Sequence, residues 1–174
     1  MTKPSVGVIT FHLAVNYGAL LQAFALQEAL KKIGCDCSLI DYRSPTHEKR
    51  YRDRKLSDCR SFKDFLRFML YKRNETVKKG KFCDFLRRRF SLTEACKTKK
   101  DLAIVANDLD YVITGSDQVW NYRNTGLDRR FFLDFVEDSK KKISYAASFG
   151  VDHLPEEYIE EYRALLQDFS HLSV

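Results

Sequence analysis

The sequence predicts an α/β fold, a Rossmann-like parallel sheet with helices on both faces. Three observations carry that prediction. Val6 to Phe11 is a short, β-branched run of buried-strand type. It is followed by a helical stripe and then by a second apolar run, Cys37 to Tyr42. Strand, helix and strand at that spacing form a βαβ unit, whose strands pair in parallel with a right-handed crossover. Two later apolar runs, Tyr111 to Thr114 and Lys142 to Ala147, each end in a Gly- and Ser-containing loop, as further strands of such a sheet would.

The elements follow in order. His12 to Tyr17 reads as a loop, and Gly18 opens a helix that runs to about Ile33. Ala19, Ala23, Leu26, Leu30 and Ile33 recur on one stripe of that helix, with Leu20 and Phe24 on its flank. Gly34 is placed to end it in a left-handed conformation. Ser44 to Thr98 reads as a mostly helical insertion. Ser61 and Asp64 make a capping pair, followed by Phe62, Phe65, Leu66 and Met69 at i, i+3, i+4 and i+7. Phe82, Phe85 and Leu86 repeat the pattern, so these aromatics are expected to be core stripes. Lys99 to Asn107 is a short helix. Pro155 starts another, with Glu156 and Glu157 in its first turn and Tyr158, Ile159, Tyr162, Leu165, Leu166 and Phe169 as its buried stripe. Leu172 to Val174 reads as the beginning of a further strand.

Charge is unevenly distributed. Arg43 to Lys100 holds 20 Lys and Arg against 7 Asp and Glu, while the rest of the chain is net −7. Such a block reads either as a solvated helical face or as a contact for an anionic surface. No nucleic-acid recognition motif accompanies it, so nucleic acid is not the expected partner, and peripheral membrane contact is left open. No apolar run approaches the roughly 20 residues of a membrane span. The five cysteines, Cys35, Cys37, Cys59, Cys83 and Cys96, form no C-x-x-C pair. With no secretory h-region at the start, free thiols and a cytoplasmic location are expected. Cys35 and Cys37 stand too close together for a zinc arm, and no metal site is expected.

In open parallel sheets ligands sit at the carboxyl ends of the strands. Three loops fall there. In the first, His12, Asn16, Tyr17 and Gly18 crowd one strand-to-helix turn; Asn16 reads as a helix cap or as a ligand contact, and Gly18 lets an anionic group approach the helix start. The second is Gly115-Ser116-Asp117-Gln118-Val119-Trp120-Asn121. Its mix of amides, a carboxylate and the chain's one tryptophan suits a sugar, and it equally suits a polar turn anchored by a buried Trp120. The third runs from Ala147 to Gly150, with Ser148 as its polar residue.

Several blocks resemble the polysaccharide pyruvyl transferase family. They are Phe11-His12 with Asn16-Tyr17-Gly18-Ala19-Leu20-Leu21-Gln22-Ala23, then Ile40-Asp41-Tyr42, Gly115 to Asn121, Phe132-Leu133-Asp134-Phe135, and Lys142 to Gly150. The resemblance covers nearly the whole chain outside the basic block. It implies residues 1–174 as the amino-terminal Rossmann-like domain, one half of a two-domain, GT-B-like architecture, with a basic helical insertion at about 44–98 and the second domain absent. It implies transfer of a pyruvyl group from phosphoenolpyruvate to a sugar of a cell-surface polysaccharide, as a ketal. The partners implied are phosphoenolpyruvate as donor substrate, with no further cofactor, and a glycan or lipid-linked sugar acceptor. On this reading the chain supplies mainly the acceptor side and needs a second domain or partner chain for activity. Asp117 is the candidate general base. The candidate substrate-binding residues are His12, Asn16, Tyr17, Gly18, Gly115, Ser116, Gln118, Trp120, Asn121 and Ser148. The alternative is a glycan- or protein-binding module without catalysis.

Overall fold

The computed structural model describes residues 2–46 and 61–174. Cys59, and residues 47–60 of the basic block generally, lie outside the described residues. Strand β1 (Ser5–Ile9) leads into helix α1 (Tyr17–Lys32) and strand β2 (Asp36–Leu39). Then come α2 (Phe62–Arg89), α3 (Lys99–Asn107) and β3 (Tyr111–Asp117). The short α4 (Tyr122–Thr125), two 3₁₀ turns (Arg129–Phe132 and Ser139–Lys141), β4 (Lys142–Ala147) and α5 (Glu156–Gln167) complete the order.

Among the described residues the four strands form one all-parallel sheet in the order β2-β1-β3-β4. Strand alternation divides its side chains between two cores. Val6, Val8, Cys37, Leu39 and Ile113 pack against Leu20, Ala23 and Leu26 of α1 and against Phe82 and Leu86 of α2. Ile9, Ile40 and Val112 face the other way, onto Leu102 and Ala106 of α3, Phe131, Phe132, Trp120 and Tyr162 of α5. The sheet is therefore covered by helices on both faces, as predicted from the βαβ pattern.

Local chemistry explains the element ends. The Asn16 side chain caps α1, and the Ser61 hydroxyl accepts from the Asp64 N–H at the start of α2. Thr98 and Asp101 form a reciprocal capping box at α3. Strand β3 runs three residues further than expected, through Gly115 to Asp117, because Gly115 pairs with Tyr145 and Asp117 with Ala147. Strand β2 is shorter than expected. Beyond Leu39 the chain pairs instead with the segment after α2, through parallel bridges Leu39–Leu92 and Tyr42–Cys96. A bridge between Ile143 and His171, with Ser173 N–H donating to the Ser144 carbonyl (3.2 Å), starts strand-like pairing along the outer side of β4.

Ile159, expected in the buried stripe of α5, is 38% exposed, and two further expectations about burial are corrected. Ile33 is 76% exposed, whereas Gln27, which lies off the expected stripe, is fully buried. The Gln27 amide donates to the Arg89 carbonyl (3.0 Å) and accepts from the Ser91 N–H (2.8 Å), so a polar residue staples α1 to the end of α2 at no unsatisfied cost. The second correction concerns Phe62, Phe65, Leu66 and Met69, which are exposed rather than core. Periodicity shows that a helix is two-sided, but not what its apolar side meets.

The four described cysteines are free thiols. Burial pushes the Cys37 thiol up to about 11, which leaves it protonated and unreactive. No helix among the described residues is long and apolar enough to cross a membrane.

Candidate functional site

Backbone pairing draws the three loops together at the carboxyl edge. The Thr10 hydroxyl donates to the Ser116 carbonyl (2.9 Å), which ties the end of β1 to the end of β3. The Ser148 N–H donates to the Asp117 carbonyl (3.0 Å) and the Trp120 N–H to the Ser148 carbonyl (3.2 Å), which tie the second loop to the third.

The residues on this edge divide into those that hold it and those that it presents. Trp120 is fully buried; its ring stacks on Phe132 at 5.6 Å and packs against Phe149 and Phe169, and its indole N–H donates to the Phe131 carbonyl (3.0 Å). The ring thus anchors the second loop in the core and turns no open face to a sugar. Asn121 is also buried. Its amide oxygen caps α4 at the Arg123 N–H, and its NH2 donates to the Gln118 Oε1 (3.0 Å). Gly115 lies against the β4 backbone. His12 is 1% exposed, with Nδ1 3.2 Å from the Thr10 carbonyl and Nε2 3.2 Å from Asp41 Oδ1, so its polar atoms point into the protein.

Asp117, Gln118, Ser116 and Ser148 are presented, as are Asn16, Tyr17 and Gly18 across the edge; all are exposed or half-buried. Asp117 has φ +89°, a region that L residues rarely adopt. Its Oδ1 accepts from the Gln118 N–H (2.7 Å), and among the described residues its other oxygen has no partner. Asn16 Oδ1 already takes the Gly18 (2.8 Å) and Ala19 (3.3 Å) N–H groups. An anion at this helix start would have to displace that cap, so Asn16 acts first as a capping residue. Asn16→Ala is expected to cost about 1 kcal/mol in a denaturant titration. Tyr17 packs on Phe82 of α2, ring centroids 4.8 Å apart, with the Lys78 ammonium 5.5 Å from its ring.

Thr10 and Gln22 were not among the expected site residues. The Gln22 amide donates to the Thr10 hydroxyl (3.1 Å), and the Ser116 hydroxyl donates to Gln22 Oε1. One signal in the sequence could have found Gln22: it lies four residues after Gly18, on the face of α1 that shares the open edge.

A groove of about 510 Å³ starts at Gln22 and Ser116 and runs between α1 and the sheet, past Leu26, Leu30, Ile113 and Ile143. Apolar walls cannot replace the hydrogen bonds that sugar hydroxyls lose on leaving water. The polar carboxyl edge suits a sugar better than this groove does.

Beneath the edge, Asp41 is buried between His12 and Arg43, whose guanidinium donates to Oδ2 (2.9 Å). Burial raises the pKa of this carboxyl, but hydrogen bonds from His12 and Arg43 outweigh it and hold the group below the usual carboxylate range. A carboxylate lowered on folding stabilises above its unfolded value, and that share is lost as pH falls through the lowered one. Asp41→Asn is therefore expected to lower the melting temperature at neutral pH and to narrow the gap to the wild type below about pH 4. Thermal melts across that range check it; a gap that stays constant with pH would contradict it.

The chain is an open, all-parallel α/β sheet with a polar, loop-built carboxyl edge, the place where sheets of this kind bind ligands. The family model for polysaccharide pyruvyl transferase matches residues 16–174, so the chain belongs to that family. The match starts at Asn16 and includes the second and third loops whole; His12 precedes it. No curated protein and no solved structure matches the chain.

Proposed function

We propose that this chain forms the acceptor side of a pyruvyl transfer from phosphoenolpyruvate to a sugar, as one half of a GT-B-like arrangement whose donor side comes from a second domain or partner chain. The observation that carries the reading is the display of Asp117, Gln118 and Ser148 on interlocked loops at the carboxyl edge. Family membership supports it. So does the character of the three loops, which carry no Lys or Arg. Hydroxyl groups are held by carboxylates and amides, whereas the phosphate and carboxylate of phosphoenolpyruvate call for cations.

The chemistry balances as follows. A proton adds to the methylene carbon of phosphoenolpyruvate, leaving an oxocarbenium-like centre at the phosphate-bearing carbon. One sugar hydroxyl attacks that centre and gives its proton to a base. The carbon–oxygen bond to phosphate breaks, phosphate leaves, and the second hydroxyl closes the ketal with loss of its own proton. Asp117 is the proposed base for an attacking hydroxyl, with Gln118 and Ser148 orienting the sugar. Gly18 and Tyr17 line the opposite rim. The acceptor is a glycan or lipid-linked sugar with two neighbouring hydroxyls, and the donor places the reaction in the cytoplasm.

Phosphate release tests the reading. With the donor side present, release should require both phosphoenolpyruvate and a glycan, and should rise with ketal formation on the glycan. No release with any glycan acceptor would reject catalysis and leave a binding module.

A further inference from the structure

The amino-terminal half of α2 carries an apolar stripe that the described residues do not bury. Phe62, Phe65, Leu66, Met69 and Leu70 fall at i, i+3, i+4, i+7 and i+8, and all five are exposed, Phe62 by 78% and Leu70 by 66%. The same helix meets the core farther on, through Phe82 and Leu86. At 3.6 residues per turn those two residues point to the other side of the helix from the stripe. The stripe therefore faces away from the sheet that α2 packs on. Exposed apolar patches of this kind mark interaction surfaces.

Charge selects the partner. Helix α2 holds ten Lys and Arg against three Asp and Glu. Lys63 and Lys72 fall on the two flanks of the stripe, about a quarter-turn from its centre line. Such side chains can lay their stems along an apolar layer and raise their ammonium groups to its polar boundary. A second copy of α2 would bring two helices of net +7 together, which repel. An anionic lipid surface offers both an apolar layer for the stripe and counter-charge for the flanks.

We propose that α2 docks this chain on anionic membrane surfaces, with Phe62 to Leu70 entering the headgroup–acyl boundary in the plane of the bilayer. The contact is peripheral. It does not depend on the transferase reading, since it is measured without phosphoenolpyruvate.

Vesicle flotation of the 174-residue protein tests it, using phosphatidylcholine vesicles with and without phosphatidylglycerol. The expected result is binding to the anionic vesicles alone, weakening as salt is raised. Leu66→Glu with Met69→Glu should reduce the partition coefficient by roughly a hundredfold. Lys63→Gln with Lys72→Gln should reduce it by about tenfold. Both double variants change exposed side chains, so circular dichroism and melting should match the wild type. Equal binding to neutral vesicles, or no binding to either kind, would overturn the proposal. So would a dimer by light scattering that dissociates in the Leu66→Glu, Met69→Glu variant, because a second copy would then cover the stripe. An oligonucleotide shift unaffected by that variant, without vesicle binding, would assign the charge to nucleic acid instead.

Discussion

Gly115→Ala is expected to destabilise the domain by roughly 3–5 kcal/mol, the sum of a backbone and a steric cost. Gly115 has φ +111°, which L residues avoid. A Cβ there would lie 2.3 Å from the Tyr145 carbonyl oxygen and 3.3 Å from the Ala147 nitrogen. Both are β4 backbone atoms inside the ladder that pairs Gly115 with Tyr145, so relief requires the two strands to part. For a domain of this size the loss corresponds to a fall in melting temperature of about 10 °C. A chemical denaturation series with the wild type beside it measures the loss. A change under about 1 kcal/mol would mean that the β3–β4 junction can yield, and that Asp117 beyond it is not rigidly aimed.

The second large effect falls on catalysis. Asp117→Asn is expected to lower turnover by about 10²–10⁴-fold, the range for loss of a positioned general base. Asparagine suits the site because it tolerates positive φ better than most residues, so the Asp117 backbone at φ +89° should keep its shape. The Gln118 N–H can still bond to the remaining amide oxygen. Turnover should therefore fall with little change in the acceptor KM, since orientation survives and proton removal does not. On the proposed transferase reading, phosphate release measured with a donor side supplied separates the two constants. A variant within threefold or so of wild-type turnover would remove Asp117 from the chemistry.

Much of the fold was legible because the relevant signals are local. The β-branched run at Val6, the cap at Asn16 and the Glu pair after Pro155 each report on their own neighbourhood, and the elements formed where those signals lie. Parallel pairing followed from the strand–helix–strand spacing. The failures share another cause. Ile33 and the Phe62–Met69 stripe match a core pattern, but burial depends on which element comes to cover them. Gln27 is a polar residue on a mostly apolar helix, and it is buried because the Arg89 carbonyl, 62 residues on, and the Ser91 N–H, 64 residues on, meet it.

The site was partly legible for the same reason. Fold class placed the three loops at one edge, and the candidates Asp117, Gln118 and Ser148 are exposed or half-buried there. Direction could not be read. Trp120 and His12 have chemistry that suits a ligand, yet tertiary contacts turn the first onto Phe132 and Phe149 and the second onto Asp41. Gln22 joined the edge through Ser116, a contact spanning 94 residues that no local pattern records.

The central claim, an acceptor sugar held at the carboxyl edge, is tested most directly by titrating the isotopically labelled chain with candidate acceptor glycans and following backbone amide shifts. Binding here does not require the donor side. The account predicts saturable shifts at Gly18, Ser116, Asp117, Gln118 and Ser148. Shifts confined to the apolar groove beside Leu30 and Ile143, or none with any glycan, would contradict it.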